Sequence, residues 1–70
     1  MLSTTNLTIL ANSLTINTGA SYQPSALANQ DNLTNLKDAI STKIDSLSDP
    51  HERMLLVRLR TSVSEALHAI

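Results

Sequence analysis

Residues 33–70 read LTNLKDAISTKIDSLSDPHERMLLVRLRTSVSEALHAI, and this stretch decides the fold. It contains two runs of apolar residues, and each run has successive spacings of 3, 4, 4 and 3 residues. Such spacings place side chains on one side of an α-helix, so each run predicts an amphipathic helix. The first run is Leu33, Leu36, Ile40, Ile44 and Leu47, and the second is Leu56, Leu59, Val63, Leu67 and Ile70.

The segment between the two runs can end one helix and begin the next. The residue before a proline is disfavoured in the helical region, whereas proline itself suits the first position of a helix. Asp49 precedes Pro50 as a good N-cap, and Glu52 follows three residues later, as in a capping box. We therefore predict helices over residues 32–47 and 51–70, joined as an antiparallel αα-hairpin.

Charge divides the chain into two parts. Residues 1–30 contain no Asp, Glu, Lys or Arg, and half of them are Ser, Thr, Asn or Gln. All eleven charged residues lie between Asp31 and Glu65. We expect an uncharged interaction arm and linker over residues 1–30 and the helical hairpin over residues 31–70, with Asp31 or Asn32 capping its first helix.

The first part of the chain has a weaker pattern. Residues 6–10 and 13–17 are two similar pentads, and pairing them would put apolar residues on one face and Thr on the other. The intervening Ala-Asn is a poor hairpin turn, and a helix is the competing interpretation, with its apolar side formed by Leu7, Leu10, Ala11 and Leu14. We favour strands. The predicted class is mainly α, a C-terminal antiparallel two-helix hairpin with an uncharged, extended or β-hairpin N-terminal arm.

The second predicted helix carries more apolar residues than one neighbouring helix can cover. Met54, Leu55 and Val57 lie beside or opposite its main stripe, and exposed apolar patches mark contact sites. The arm adds further apolar groups. The predicted interface consists of Leu7, Ile9, Leu14, Ile16, Met54, Leu55 and Val57.

The sequence offers little for catalysis or metal binding. His51 and His68 are seventeen residues apart, and a zinc site needs three or four convergent ligands. Catalytic carboxylates need burial or mutual crowding, whereas Asp38 and Asp45 fall on the solvent side of the first helix. A single glycine and no cysteine exclude a P-loop and a thiolate site. We expect no catalytic residue, metal, cofactor or small-molecule substrate, and hence no enzyme.

The expected surroundings of the protein follow from charge and hydropathy. Arg53, Arg58 and Arg60 form the basic cluster, but net charge is −1 and there is one aromatic residue, so nucleic-acid binding is a minor alternative. No run approaches the roughly 18 apolar residues of a membrane span. No basic residue precedes the N-terminal apolar positions, so no signal peptide is expected. These features suggest the cytoplasm or the interior of a particle.

Size favours self-association. A domain of this length buries only ~60% of the surface that its unfolded chain exposes, so it is marginally stable unless a disulfide, a metal or oligomerisation supports it. The absence of cysteine leaves oligomerisation. We recognise no family. The hairpin with its proline corner is loosely similar to type III secretion needle and rod subunits over residues 31–70, and the composition is similar to minor structural proteins of bacteriophage particles.

We therefore expect a non-catalytic structural subunit of a homo-oligomeric or virion-like assembly, with the hairpin as body and the N-terminal arm as connector. Its partners would be copies of itself and other subunits of the same assembly. An uncharged arm suits burial because no ion has to be desolvated. The alternative is a small cytosolic adaptor or regulatory protein that binds one larger partner through the helical hairpin.

Overall fold

The computed structural model describes residues 2–70, and this part of the chain is mainly helical. Three helices and one two-stranded antiparallel sheet follow one another along it. They are α1 (Thr4–Leu14), β1 (Thr15–Asn17), β2 (Tyr22–Pro24), α2 (Gln30–Ser46) and α3 (Pro50–His68). None of the helices in residues 2–70 combines the length and the apolar character needed to cross a membrane.

The two helices predicted from the apolar stripes are confirmed, with ends within two residues of the prediction. Asp49 caps α3, since its carboxylate accepts a hydrogen bond from the backbone N–H of His51 at 3.0 Å. Pro50 is the first residue of that helix. The helix pair is connected by residues 47–49 and packs closely, and Arg60 Nη1 of α3 donates to Ser41 Oγ of α2 at 3.3 Å.

The cap of α2 differs from the prediction. Asn29, rather than Asp31 or Asn32, is the N-cap residue. Its side chain accepts a hydrogen bond from the backbone N–H of Asn32, and the Asn32 side chain accepts one from the backbone N–H of Asn29, both at 2.8 Å. This reciprocal pair is a capping box built from two asparagines, and it starts the helix two residues earlier than predicted.

The prediction of strands at residues 6–10 is wrong, because this segment lies within helix α1. Ser3 caps α1 by accepting a hydrogen bond from the backbone N–H of Asn6 at 3.1 Å. In the helical conformation Leu7 and Ala11 lie one turn apart and are both buried. Packing of these two residues outweighs the strand preference of the Thr- and Ile-rich sequence, as tertiary contacts often do.

Three hydroxyl groups within or directly after α1 donate hydrogen bonds to the backbone of that helix. Thr8, Ser13 and the C-cap residue Thr15 each donate to the carbonyl oxygen four residues earlier, at 2.9, 2.9 and 2.7 Å. This arrangement satisfies the hydroxyl without a partner from another element. It lets the buried Thr15 side chain lie at the end of the helix without an unpaired polar group.

A β-hairpin is present, but it lies later in the chain than predicted. Residues 15–17 pair with residues 22–24, with Ile16 opposite Gln23. The turn between them contains the single glycine, Gly19, at φ +91°, a conformation that glycine adopts at little cost. Its backbone N–H donates to Asn17 Oδ1 at 2.8 Å.

One apolar core joins all three helices. Six of the ten residues in the two predicted apolar stripes are buried, Leu47, Leu59 and Leu67 are partly buried, and Ile70 is exposed. Leu7 and Ala11 of α1 belong to the same cluster. Its members are Leu7, Ala11, Leu33, Leu36, Ile40, Ile44, Leu56, Val63 and Ala66. Helix α1 is therefore part of the folded body of the chain rather than an extended arm outside it.

Candidate interaction surfaces

The described residues expose more large apolar side chains than they bury. Nine apolar residues are buried and two of them are alanines, which leaves seven large ones. Nine large apolar residues are exposed. Single exposed apolar side chains are normal, so what matters is whether these residues cluster. Two clusters occur, one between α1 and α2 and one at the start of α3.

The first cluster, which we call the α1–α2 groove, is an open and mainly apolar depression of about 240 Å³. Leu2 and Leu10 stand beside it, 41% and 39% exposed. Leu10 lies in the exposed part of α1 next to the buried side that carries Leu7. The lining residues are Leu2, Leu10, Leu14, Asn32, Asn35, Leu36 and Ala39.

Within residues 2–70, no charged side chain lines the α1–α2 groove. Helix α1 carries no charge at all, and the polar groups that α2 contributes are the amides of Asn32 and Asn35. Asn32 is engaged, since its Nδ2 donates to the Leu27 carbonyl at 3.1 Å in addition to its capping bond. Asn35 is exposed and makes no side-chain hydrogen bond within residues 2–70. The charged residues of α2 that lie one helical turn from this lining are Asp31, Asp38 and Lys43.

The second cluster, which we call the α3 patch, consists of Met54 and Val57, which are 60% and 40% exposed and lie about one turn apart on α3. Leu55 is 45% exposed but points about 160° away from Val57, so it lies outside this patch. The N-terminal part of the described chain covers none of these three side chains. Coverage by a second subunit stays a prediction. Unlike the groove, this patch is interspersed with charged neighbours, Arg53 and Arg58.

The structure distributes the predicted interface residues over several places. Leu7 is 1% exposed and belongs to the core, so its assignment to an interface is wrong. Leu14 is partly buried and lines the α1–α2 groove. Ile9 and Ile16 are exposed but line neither cluster. Their role in an interface stays a prediction.

Three groove residues were missed by the sequence analysis, namely Leu2, Leu10 and Asn35. Leu10 belongs to the apolar side of the helix that competes with the favoured strand interpretation of this segment, and only that helix gives it a role. No sequence signal singles out Leu2 or Asn35. Both acquire a possible role only because α1 packs beside α2.

Two of the three arginines of the basic cluster, Arg58 and Arg60, lie on different surfaces. Arg60 lines a polar cleft of about 350 Å³ together with Lys37 and His68. Arg58 lines a different depression beside Tyr22. Residues two apart on a helix point about 200° apart, which explains the separation. Nucleic-acid binding through a common arginine surface therefore receives no support from this arrangement.

The acidic and histidine side chains are similarly dispersed. Within residues 2–70, no group of three or more His, Cys, Asp or Glu residues is placed to hold a metal ion. His51 and His68 lie near opposite ends of α3, and both are exposed. Glu65 Oε2 accepts a hydrogen bond from the backbone N–H of Tyr22 at 3.3 Å, linking α3 to the hairpin.

Comparison with known proteins adds no relative from which a role could be transferred. The sequence matches no protein-family model, and searches of curated proteins and of solved structures find no match. The surfaces of this chain are therefore the basis for the function proposed below.

Proposed function

We propose that this protein is a non-catalytic structural subunit that associates with copies of itself, with the antiparallel α2–α3 hairpin as its body. In the full form of the proposal the product is a homo-oligomeric or virion-like assembly. The observation that carries it is the excess of exposed over buried large apolar side chains, nine against seven, together with the grouping of four of the exposed ones in the groove and the patch.

Small size makes this exposure significant. A chain of 70 residues gains limited stability from a small core, and this one contains no cysteine for a disulfide. Covering a Leu or Met side chain that is otherwise exposed contributes up to ~1.5–3 kcal/mol. Association through one of the two clusters would therefore add stabilisation that the isolated chain lacks.

In the proposed assembly the N-terminal region contributes a packed helix and not an extended connector. Helix α1 is fixed to the body by Leu7 and Ala11, and it presents Leu2 and Leu10 at the edge of the α1–α2 groove. The proposed connector is thus a helical surface.

Light scattering coupled to size-exclusion chromatography of the purified chain tests the proposal. We expect a mass of at least two chains that rises with protein concentration, because association follows mass action. A monomer at every accessible concentration would overturn self-association. That result would favour the adaptor or regulatory protein, in which the same apolar surfaces bind one larger partner.

A further inference from the structure

We infer that the α1–α2 groove is a two-fold contact between two copies of this chain, with Leu10 of each copy near the axis. This inference rests on the proposed self-association and specifies its first step. The occupant of the groove is the same groove of a second copy, with the two α1 helices packed against each other. The α3 patch takes no part in this contact.

Charge is the first reason for assigning the groove to a second copy. In a two-fold contact the same surface is present on both sides, so a charged residue near the axis meets its own like charge. Among residues 2–70, those that line the α1–α2 groove carry no charge, and α1 contains no charged residue either. Burying this lining therefore brings no like charges together and removes no ion from water.

The α3 patch provides the contrast. Arg53 and Arg58 flank its apolar residues, so a two-fold contact there would bring four arginines close together. Such a surface is better suited to a partner with acidic side chains than to its own copy. The two clusters thus differ in the partner that they favour, although both are apolar.

Hydrogen bonding is the second reason. An amide side chain contains both donors and an acceptor, so it can pair with the same amide of another copy. Asn35 lines the groove and has no hydrogen-bond partner within residues 2–70. In the two-fold contact it would gain one at the edge of the buried apolar surface. A lysine or glutamate at this position could not pair with its own copy.

The test compares two exposed residues of α1. Leu10→Asp places a carboxylate in the groove of each copy, next to its own like charge. We expect at least roughly tenfold weaker dimerisation in sedimentation equilibrium, because burying an unpaired charge is costly. Asn12→Asp is the matched control, since Asn12 is exposed on the same helix and does not line the groove. We expect its dimerisation to equal that of the wild type.

Disulfide trapping gives a second readout that does not depend on destabilisation. The natural chain has no cysteine, so one substitution introduces the sole thiol. Leu10→Cys should form a disulfide-linked dimer rapidly under mild oxidation, since a disulfide requires Cα atoms roughly 4.4–6.8 Å apart. Ile9→Cys and Met54→Cys should cross-link slowly. Circular dichroism checks that each variant keeps its helical content.

The outcomes separate this inference from the proposed function. If Leu10→Asp dimerises normally, or Leu10→Cys cross-links no faster than Ile9→Cys, the groove contact is wrong. Should the double variant Met54→Asp, Val57→Asp be the one that dissociates, self-association stands and its site is the α3 patch. A monomeric wild-type chain would overturn both proposals. If the Leu10→Asp variant loses helical content, the comparison of cross-linking rates between Leu10→Cys and Ile9→Cys decides whether the groove is the contact.

Discussion

The N-terminal third and the C-terminal helix pair reach the same core by different means. Helices α2 and α3 are amphipathic, with regular apolar stripes, charged outer faces and polar caps at their starts. Helix α1 has no charges, and several of its hydroxyls bond to its own backbone. Yet α1 contributes Leu7 and Ala11 to the cluster that the helix pair forms.

This difference shows how charged residues determine which faces of the helices stay in contact with water. On α2 and α3 the charged residues mark the faces that stay in water. On α1 nothing in the composition distinguishes a solvated face from a contact face, and Ile9 and Leu10 are left exposed, as is Leu2 just before the helix. The uncharged region is therefore part of the folded body and also contributes exposed apolar side chains to its surface.

Deleting residues 2–18 has the largest expected effect. If the N-terminal region were an arm, the truncated chain would stay soluble and helical and would only lose assembly. Since Leu7 and Ala11 are core residues, we expect the deletion to open the core of the helix pair and to abolish cooperative thermal unfolding. Circular dichroism melting checks this. A sharp transition in the truncated chain would show that residues 19–70 fold without α1.

Matched alanine substitutions compare the two regions directly. Leu7 and Ile40 are at most 1% exposed, so Leu7→Ala and Ile40→Ala should each lower the free energy of unfolding by ~2–5 kcal/mol. The exposed Ile9→Ala is the control, with a change within about 0.5 kcal/mol. Urea titration at one fixed protein concentration measures all three. A much smaller loss for Leu7→Ala would mean that α1 docks only weakly.

Gly19→Ala examines the hairpin that connects the two regions. No heavy atom lies within 4 Å of the added Cβ, so the expected cost arises from the backbone at φ +91° alone. We expect a loss of ~1–2 kcal/mol in the free energy of unfolding. Gly19→Asn should lose less, because asparagine tolerates positive φ better than alanine. Equal stability of the alanine variant and the wild type would contradict this conformation of the turn.

The smallest expected effects come from the helix caps. Asp49→Ala and Asn29→Ala should each cost ~1 kcal/mol through loss of a hydrogen bond to a free backbone N–H. Asn29 also belongs to a reciprocal pair, so Asn32→Ala should cost a similar amount, and the double variant less than the sum. Chemical denaturation of the four variants measures this coupling. Additive losses would show that the two asparagine bonds act independently.

The sequence alone determined the C-terminal helix pair. Two stripes of helical period, a proline at the corner and Asp49 before it are local signals, and they act over distances of a few residues. They predicted α2, α3 and most of the buried seam. The asparagine capping box was missed because Asp31, at the charge boundary, appeared to be an equally good cap in the sequence.

Tertiary structure decided the fate of the first thirty residues and the location of the groove. Residues 6–10 can satisfy the pattern of a strand or of a helix, and local propensity favoured the strand. The helix forms because it brings Leu7 and Ala11 together against α2 and α3, a gain that exists only when those helices are present. The groove also needs both helices, since Leu10 and Asn35 are distant in the sequence and become neighbours through packing alone.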